Sequence, residues 1–461
     1  MSNDFIPPSV LSRRRDSVNL VTEATAGISI FFTMSYIFLL NPSLLTQAGM
    51  DPGAAFFSTA LTAIISTVFM GLYAKLPYAV APVPTVTTFF TFFICQTMKI
   101  PWPEALTCVL LSGIISVIAT LTSVRAQLIE SMPDGLKTSL MFAVGGFLVA
   151  NGLKLGGLVN YDKMGIVLDS QFWTMLLSKS AVITAVGLSV AAILNSRLFA
   201  LKTGPLVGLI AATVTAVALG IPLKRPTFDL SHIFSTSLHF GLPELDWPSL
   251  SQFIFATIIF FIVDFYGAIG KLVALTKLLS SVDDQEDVAV RSALMVDSLG
   301  TVLGATLGTS SVAVFISSAV GIKAGGRTGL TALWCAAAIA ASVVVMPLVG
   351  AVPTVVNAGV LIYIGLILMP WKSLWDHRND ASGRFQAAVA IVALLVSLLT
   401  YGIDKGLLVS FAAYTVVIAS STLRKALEHK EDAPIGAVYL YVTTALLTAS
   451  VLAQQFLFPP G

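Results

Sequence analysis

The sequence predicts an all-α polytopic membrane protein, and three observations carry that prediction. Of 461 residues, 56% are hydrophobic and only 11% are charged, against about 25% charged in an ordinary soluble domain. Mean hydropathy is +0.89. The apolar runs are continuous and supply a dozen or more crossings at about 20 residues each, whereas barrel strands would alternate. A soluble enzyme would lack the charge to cover its surface. With 26 basic against 24 acidic residues, no field draws in polyanions, which excludes a nucleic-acid binder. Cys95, Cys108 and Cys335 sit in apolar stretches without metal-ligand spacing, and the four histidines show no zinc pattern. With no phosphate-binding loop either, the chain reads as a transporter rather than an enzyme, with no cofactor and no metal.

Apolar spans are predicted at 21–47, 53–74, 84–97, 103–122, 135–157, 177–196 and 204–221. A polar linker follows at 222–249. A second series runs at 250–276, 288–308, 311–321, 327–348, 353–369, 385–401 and 405–421. A further apolar stretch occupies 435–458 and reads as an extra crossing, an interfacial helix, or a sign that one earlier helix has been split. Residues 1–20 form a polar tail, and the run after it is too long for a signal-peptide core. Arg13, Arg14 and Arg15 precede the first span, so the positive-inside rule places the N-terminus in the cytoplasm. Alternation then keeps Lys75, Arg125, Lys277 and Arg291 inside and leaves Lys99, Lys224 and Arg225 outside. A cell (plasma or bacterial inner) membrane is the expected location.

Spans 3 and 10, at 84–97 and 311–321, are short, and each is third in its series of seven. Helices of about 11–14 residues cover about 16–21 Å, too little to cross alone. The remainder must be non-helical backbone at membrane depth, which needs protein or a wet cavity to satisfy it. A matched pair of interrupted spans points to an inverted-repeat transporter with a midplane site. Seven spans per half, an odd number, requires the second half to be inverted.

The few deep ionisable residues are candidate functional groups, because a charge in lipid is expensive unless paired. Asp264, Gly267 and Lys271 fall at i, i+3 and i+7 on one helical face of span 8. Asp297 lies in span 9, and Glu23 begins span 1. Hydroxyls gather at both breaks: Thr85, Thr87 and Thr88, then Thr309, Ser310, Ser311, Ser317 and Ser318. Beside half-helix N-termini they suit carbonyl oxygens or anions. Phe89, Phe90 and Phe315 are candidates to stack on a planar ligand.

Three stretches carry a family resemblance: TMSYIFLLNPSLLTQAGMDPGAAFFSTAL at 33–61, DSLGTVLGATLGTSSV at 297–312, and AGGRTGLTAL at 324–333. Through them the chain resembles the nucleobase–cation symporter superfamily (xanthine/uracil permease-like), in its AzgA-like purine permease branch. The resemblance implies seven-plus-seven inverted repeats. A core domain is built from 21–122 (spans 1–4) and 250–350 (spans 8–11). A gate domain is built from 123–221 (spans 5–7) and 351–461. It also implies a homodimer that imports purine bases with protons by moving core against gate. The chain departs from the family at the site. APVPTVTTFF puts Thr87 where an Asn is usual. IVDFYGAIGK keeps Asp264, replaces a second Asp by Gly267, and replaces a Thr by Lys271. GTSSVAVFISS puts Ser317 where the substrate-binding Glu stands.

The sequence thus predicts a secondary active permease for a small, nucleobase-like solute in the lipid bilayer. Thr87, Thr88, Asp264, Gly267, Ser310 and Ser317 are the candidate binding residues. Asp264, Lys271 and Asp297 are the candidate coupling or counter-charge groups. Two other readings stand beside it: transport of a small organic or inorganic anion, with Lys271 as counter-charge, and a non-transporting receptor or scaffold.

Overall fold

The computed structural model describes residues 19–122, 133–162, 165–167, 178–195, 203–222, 234–279, 286–345, 353–376, 380–401, 403–427, 444 and 448. The predicted stretch 435–458 therefore lies outside the described residues, apart from 444 and 448. So do the tail 1–18 with Arg13–Arg15 and residues 223–233 of the linker.

Span 1 is α1 (Leu20–Met34) and α2 (Ile37–Gln47), joined across Ser35 and Tyr36. The Asn19 carboxamide caps α1 by accepting the N–H groups of Val21 and Thr22. Span 2 is α3 (Pro52–Phe69), with Asp51 as N-cap and Pro at its first position, continued by a π-helical turn at Met70–Ala74. Next come β1 (Val80–Pro82), α4 (Pro84–Thr88) with its π-helical extension Phe89–Thr97, and α5 (Trp102–Leu121). Spans 5–7 are α6 (Asp134–Leu155), α7 (Lys179–Leu194) and α8 (Gly204–Ala218). A small hairpin of β2 (Asn160–Asp162) and β3 (Gly165–Val167) lies between α6 and α7. The second series begins with α9 (Trp247–Leu279) and α10 (Glu286–Leu307). It continues with β4 (Val312–Val314), α11 (Ser318–Lys323) and α12 (Gly329–Ser342). The chain closes with α13 (Asn357–Leu368), α14 (Trp371–Asp376), α15 (Ala381–Thr400) and α16 (Ile403–Leu427).

Among the described residues, six helical segments are long and apolar enough to cross a membrane, and five shorter apolar helices accompany them. Side chains such as Ile118, Val214, Ile391 and Val416 project outward from them, as lipid-facing positions should. Helices α1–α5 pack with α9–α12, while α6–α8 pack with α13, α15 and α16. Across the two groups, α1 touches α8 and α4 touches α6. Contacts within each group depend on small residues, which let backbones approach closely where lipid gives no hydrophobic drive. A Cβ on Gly27 of α1 would sit 2.4 Å from the Thr331 carbonyl of α12, and one on Gly359 of α13 would sit 2.3 Å from the Thr184 carbonyl of α7.

The expectation of an all-helical chain is corrected at β1, at the β2–β3 hairpin and, within a predicted span, at span 10. Span 10 is not a helix over 311–321: residues 312–314 are extended, and the helix is confined to Ser318–Lys323. Strand β4 pairs antiparallel with β1, with Val80 opposite Val314 and Pro82 opposite Val312. β-branched valines at alternate positions favour the extended form. A run this short and apolar has no periodicity to distinguish it from a helix.

Candidate functional site

The two breaks meet where β1 crosses β4. Extended backbone at this depth has no water to bond, so side chains must complete it. Four side chains from three helices do so. The Thr67 hydroxyl of α3 donates to the Val80 carbonyl and accepts the Val80 N–H, both at 3.0 Å. Asp297 of α10 accepts the Val314 N–H at 3.0 Å. Ser318 accepts the Ala79 N–H at 3.0 Å. The Thr301 hydroxyl lies 3.3 Å from the Val312 carbonyl.

On the first side of the crossing lies a neutral network. Thr87 donates to the carboxamide oxygen of Asn41 and meets the Ser310 hydroxyl at 2.6 Å. The Asn41 amide donates to Thr59 at 2.7 Å and to Thr309 at 3.1 Å. All five residues are fully buried, and together they join α2, α3, α4 and the turn before β4. Beside Thr87, the Thr88 hydroxyl is buried and has no hydrogen-bond partner among the described residues.

On the other side lies a charged cluster. Asp264 is 4% exposed and Asp297 is 1% exposed. Ser311 donates to Asp264, and Thr301 donates to its other oxygen at 3.3 Å. Thr301 and Ser311 are themselves 3.1 Å apart. The two carboxylates thus hold β4 from both ends, Asp264 through Ser311 and Asp297 at Val314. Lys271, partly buried, stands two turns beyond Asp264 on α9.

Of the predicted residues, the crossing brings together Thr87, Ser310, Asp264 and Asp297, with Thr88 adjacent, while Lys271 lies two turns along α9 from Asp264. Gly267 lies on α9 between Asp264 and Lys271. Ser317, half-buried at the start of α11, belongs to neither network. The three phenylalanines are used in packing. Phe89 stacks on Phe93 and meets Phe260 edge-on, both at 5.1 Å, Phe90 lies 6.2 Å from Phe260, and Phe315 lies 6.5 Å from Tyr36. Glu23 is also structural: it accepts the N–H groups of Arg327 and Thr328 and the Thr331 hydroxyl at the start of α12. The sequence reading missed Asn41, Thr59, Thr67 and Thr301. Asn41 did leave a signal, as an amide followed by Pro42 inside an otherwise apolar span.

Residues 22–397 match the family model Xan_ur_permease, described as "Permease family". The adenine permease AdeP of Escherichia coli K12 is 30% identical over 420 residues, which is 90% of this chain and 91% of that protein. The guanine/hypoxanthine permease PbuO of Bacillus subtilis 168 is 29% identical over 426 residues, which is 88% of this chain and 93% of that protein. The fold is shared with the transmembrane domain of BicA, a cyanobacterial bicarbonate transporter. Its TM-score is 0.64 at 17% identity, covering 83% of this chain and 97% of that structure. With the match spanning most of its length and the polar crossing at its centre, the chain belongs to the Permease family of integral membrane transporters.

Proposed function

We propose that this permease carries purine-like nucleobases across the cell membrane, binding them beside the crossing of β1 and β4. The observation that carries this reading is the meeting of Thr87 and Ser310, 2.6 Å apart, beside the unpartnered Thr88 hydroxyl. Hydroxyls both donate and accept, so they serve the mixed N–H and carbonyl edge of an oxopurine. Asp264 orders the Ser311 side of the pocket, and Ser317 and Gly267 form its edge. Relatives named for adenine and for guanine and hypoxanthine support the substrate class. Uptake of radiolabelled adenine, guanine and hypoxanthine by expressing cells tests the reading. Uptake no greater than in vector controls for all three would sink it.

In this reading α1–α5 with α9–α12 act as the core, and α6–α8 with α13–α16 act as the gate. The core carries the whole crossing and moves against the gate, and the two packing groups support that division. Seven-plus-seven inverted repeats, a cytoplasmic N-terminus and a homodimer belong to the same proposal. A second reading, transport of a small anion, rests on the ammonium of Lys271. Lys271→Ala separates the two: anion flux should vanish if the ammonium binds the solute. A scaffold without transport predicts no ligand-dependent thermal stabilisation, whereas a permease gains about RT ln(1 + [L]/Kd) from its solute.

A further inference from the structure

We infer that the segment Phe234–Trp247, which ends on the first residue of α9, is an anchor in the membrane interface, with its apolar side chains at the boundary of lipid headgroups and chains and its polar groups holding the end of α10.

The segment reads FSTSLHFGLPELDW and contains no lysine or arginine. Phe234, Leu238, Phe240, Leu242, Leu245 and Trp247 are all exposed, Leu242 to 80% and Leu245 to 99%. Single exposed apolar residues are ordinary, but so many in fourteen residues call for a partner other than water. The backbone cannot turn them inward, because it is pinned. The Ser237 hydroxyl donates to the Leu307 carbonyl at 3.0 Å, and the Leu238 N–H donates to the Thr306 carbonyl at 2.8 Å. These are last-turn carbonyls of α10, which no helical N–H can reach. Thr236 is buried against Gly308, where a Cβ would come 2.4 Å from its hydroxyl oxygen. Phe234 meets Phe57 of α3 edge-on at 5.1 Å, and Thr107 of α5 donates to the Gly241 carbonyl at 2.6 Å.

Two tryptophans mark the level at which the segment runs. Trp102 is the first residue of α5 and Trp247 the first of α9. Cys108, six residues past Trp102, meets the carbonyl of Phe253, six past Trp247, at 3.6 Å. The two helices therefore start side by side. His239 of the segment lies 5.5 Å from Trp102, ring to ring. Tryptophan at the start of a spanning helix belongs to the boundary between headgroups and chains. Trp247 and the exposed Ile254 are seven residues apart on one face of α9, so the apolar surface of the segment runs on into a lipid-facing stripe. That continuity makes lipid its partner. Glu244 and Asp246 are exposed within it, which suits the boundary layer and not the hydrocarbon. The anchor thus fixes the depth of Thr306 and Leu307, and with them the turn at Gly308 that delivers Ser310 to the crossing.

The test places single copies of the protein in phosphatidylcholine nanodiscs, with a polarity-sensitive dye on Leu242→Cys or Leu245→Cys. The native chain, whose three cysteines are buried or half-buried, sets the labelling background. Both probes should emit at shorter wavelength than the same dye on glutathione in buffer. A spin label near the lipid headgroup should quench them more than one at the chain end, and aqueous iodide should quench them less than it quenches the glutathione adduct. Emission and iodide quenching equal to those of the adduct would put the segment in water and overturn the inference. Protection from iodide without quenching by either lipid label would mean that protein covers these side chains, which also overturns it. So does stronger quenching from the chain end than from the headgroup. Leu245→Trp repeats the test without a cysteine or a dye: lipid brominated near the headgroup should quench the added emission, and no quenching would count against the anchor. None of these readouts needs a solute, so the outcome is independent of the nucleobase reading.

Discussion

Val80 and Val314 face each other across the two breaks, and the contrast between their supports is instructive. The Val80 N–H is accepted by a hydroxyl, Thr67 of α3, while the Val314 N–H is accepted by a carboxylate, Asp297 of α10. The two supports stand on α3 and α10. Around β1 everything is neutral: Thr67, Asn41, Thr59 and Thr87. Around β4 there are two carboxylates, Asp264 and Asp297. A neutral hydrogen bond at membrane depth fixes geometry alone, whereas a charge also responds to proton concentration and to neighbouring charge. The first break therefore offers a solute uncharged donors and acceptors in fixed places, and the second break is the part able to sense charge.

Substitutions at the two breaks should separate these roles. The largest effect is expected at Asp264→Ala, which strips Ser311 and Thr301 of their acceptor. Nucleobase uptake should fall about 100-fold or more, given that charged hydrogen bonds contribute about 1.5–3 kcal/mol each. Membrane yield should fall less than uptake. Equal losses of yield and uptake would make the second break a scaffold. Next comes Asn41→Ala, which removes the centre of the neutral network. It should cost about 1–3 kcal/mol through unsatisfied hydroxyls, read as a melting temperature lower by several degrees, with exchange retained in the protein that folds. Thr87→Val keeps the shape but deletes the hydroxyl shared by Asn41 and Ser310. About tenfold weaker uptake is expected, with Thr87→Ser restoring most of it. Failure of Ser to rescue would mean that the methyl group matters more than the hydrogen bonds. The smallest effect belongs to Ser317→Ala, about threefold in apparent affinity, because Ser317 stands outside both networks. A loss as large as that of Thr87→Val would move the pocket toward α11.

The helices were legible because long apolar runs leave few alternatives once the solvent is lipid. Predicted spans such as 53–74, 103–122 and 204–221 lie within a few residues of the observed elements. Asp264 and Lys271 were legible for the complementary reason, since a charge amid FATIIFFIVDFYGAIGKLVAL needs a purpose. The β4 strand was not legible. Its extended form depends on β1, which follows a different part of the chain, and no local pattern encodes that partner. The same holds for Thr67, Thr59 and Thr301. A hydroxyl in a membrane helix usually bonds its own backbone, as Thr257 and Thr276 do, and only the fold tells which ones reach across. For Phe89 and Phe90, packing and ligand stacking were both open from the sequence, because it gives ring count but not ring neighbours.

The pairing of β1 with β4 also sets a condition on synthesis. Ala79 and Ser318, which hydrogen-bond beside that pairing, are 239 residues apart. At about 5–20 residues per second, the first break is made on the order of 12–48 s before its partner exists. During that interval β1 has unpaired backbone and no second strand to complete it. The nascent first half must therefore be sheltered by the insertion machinery or kept near water until the second half arrives. It follows that the two halves are not independent folding units, and that the crossing can close only once about two thirds of the chain, through Ser318, has been made.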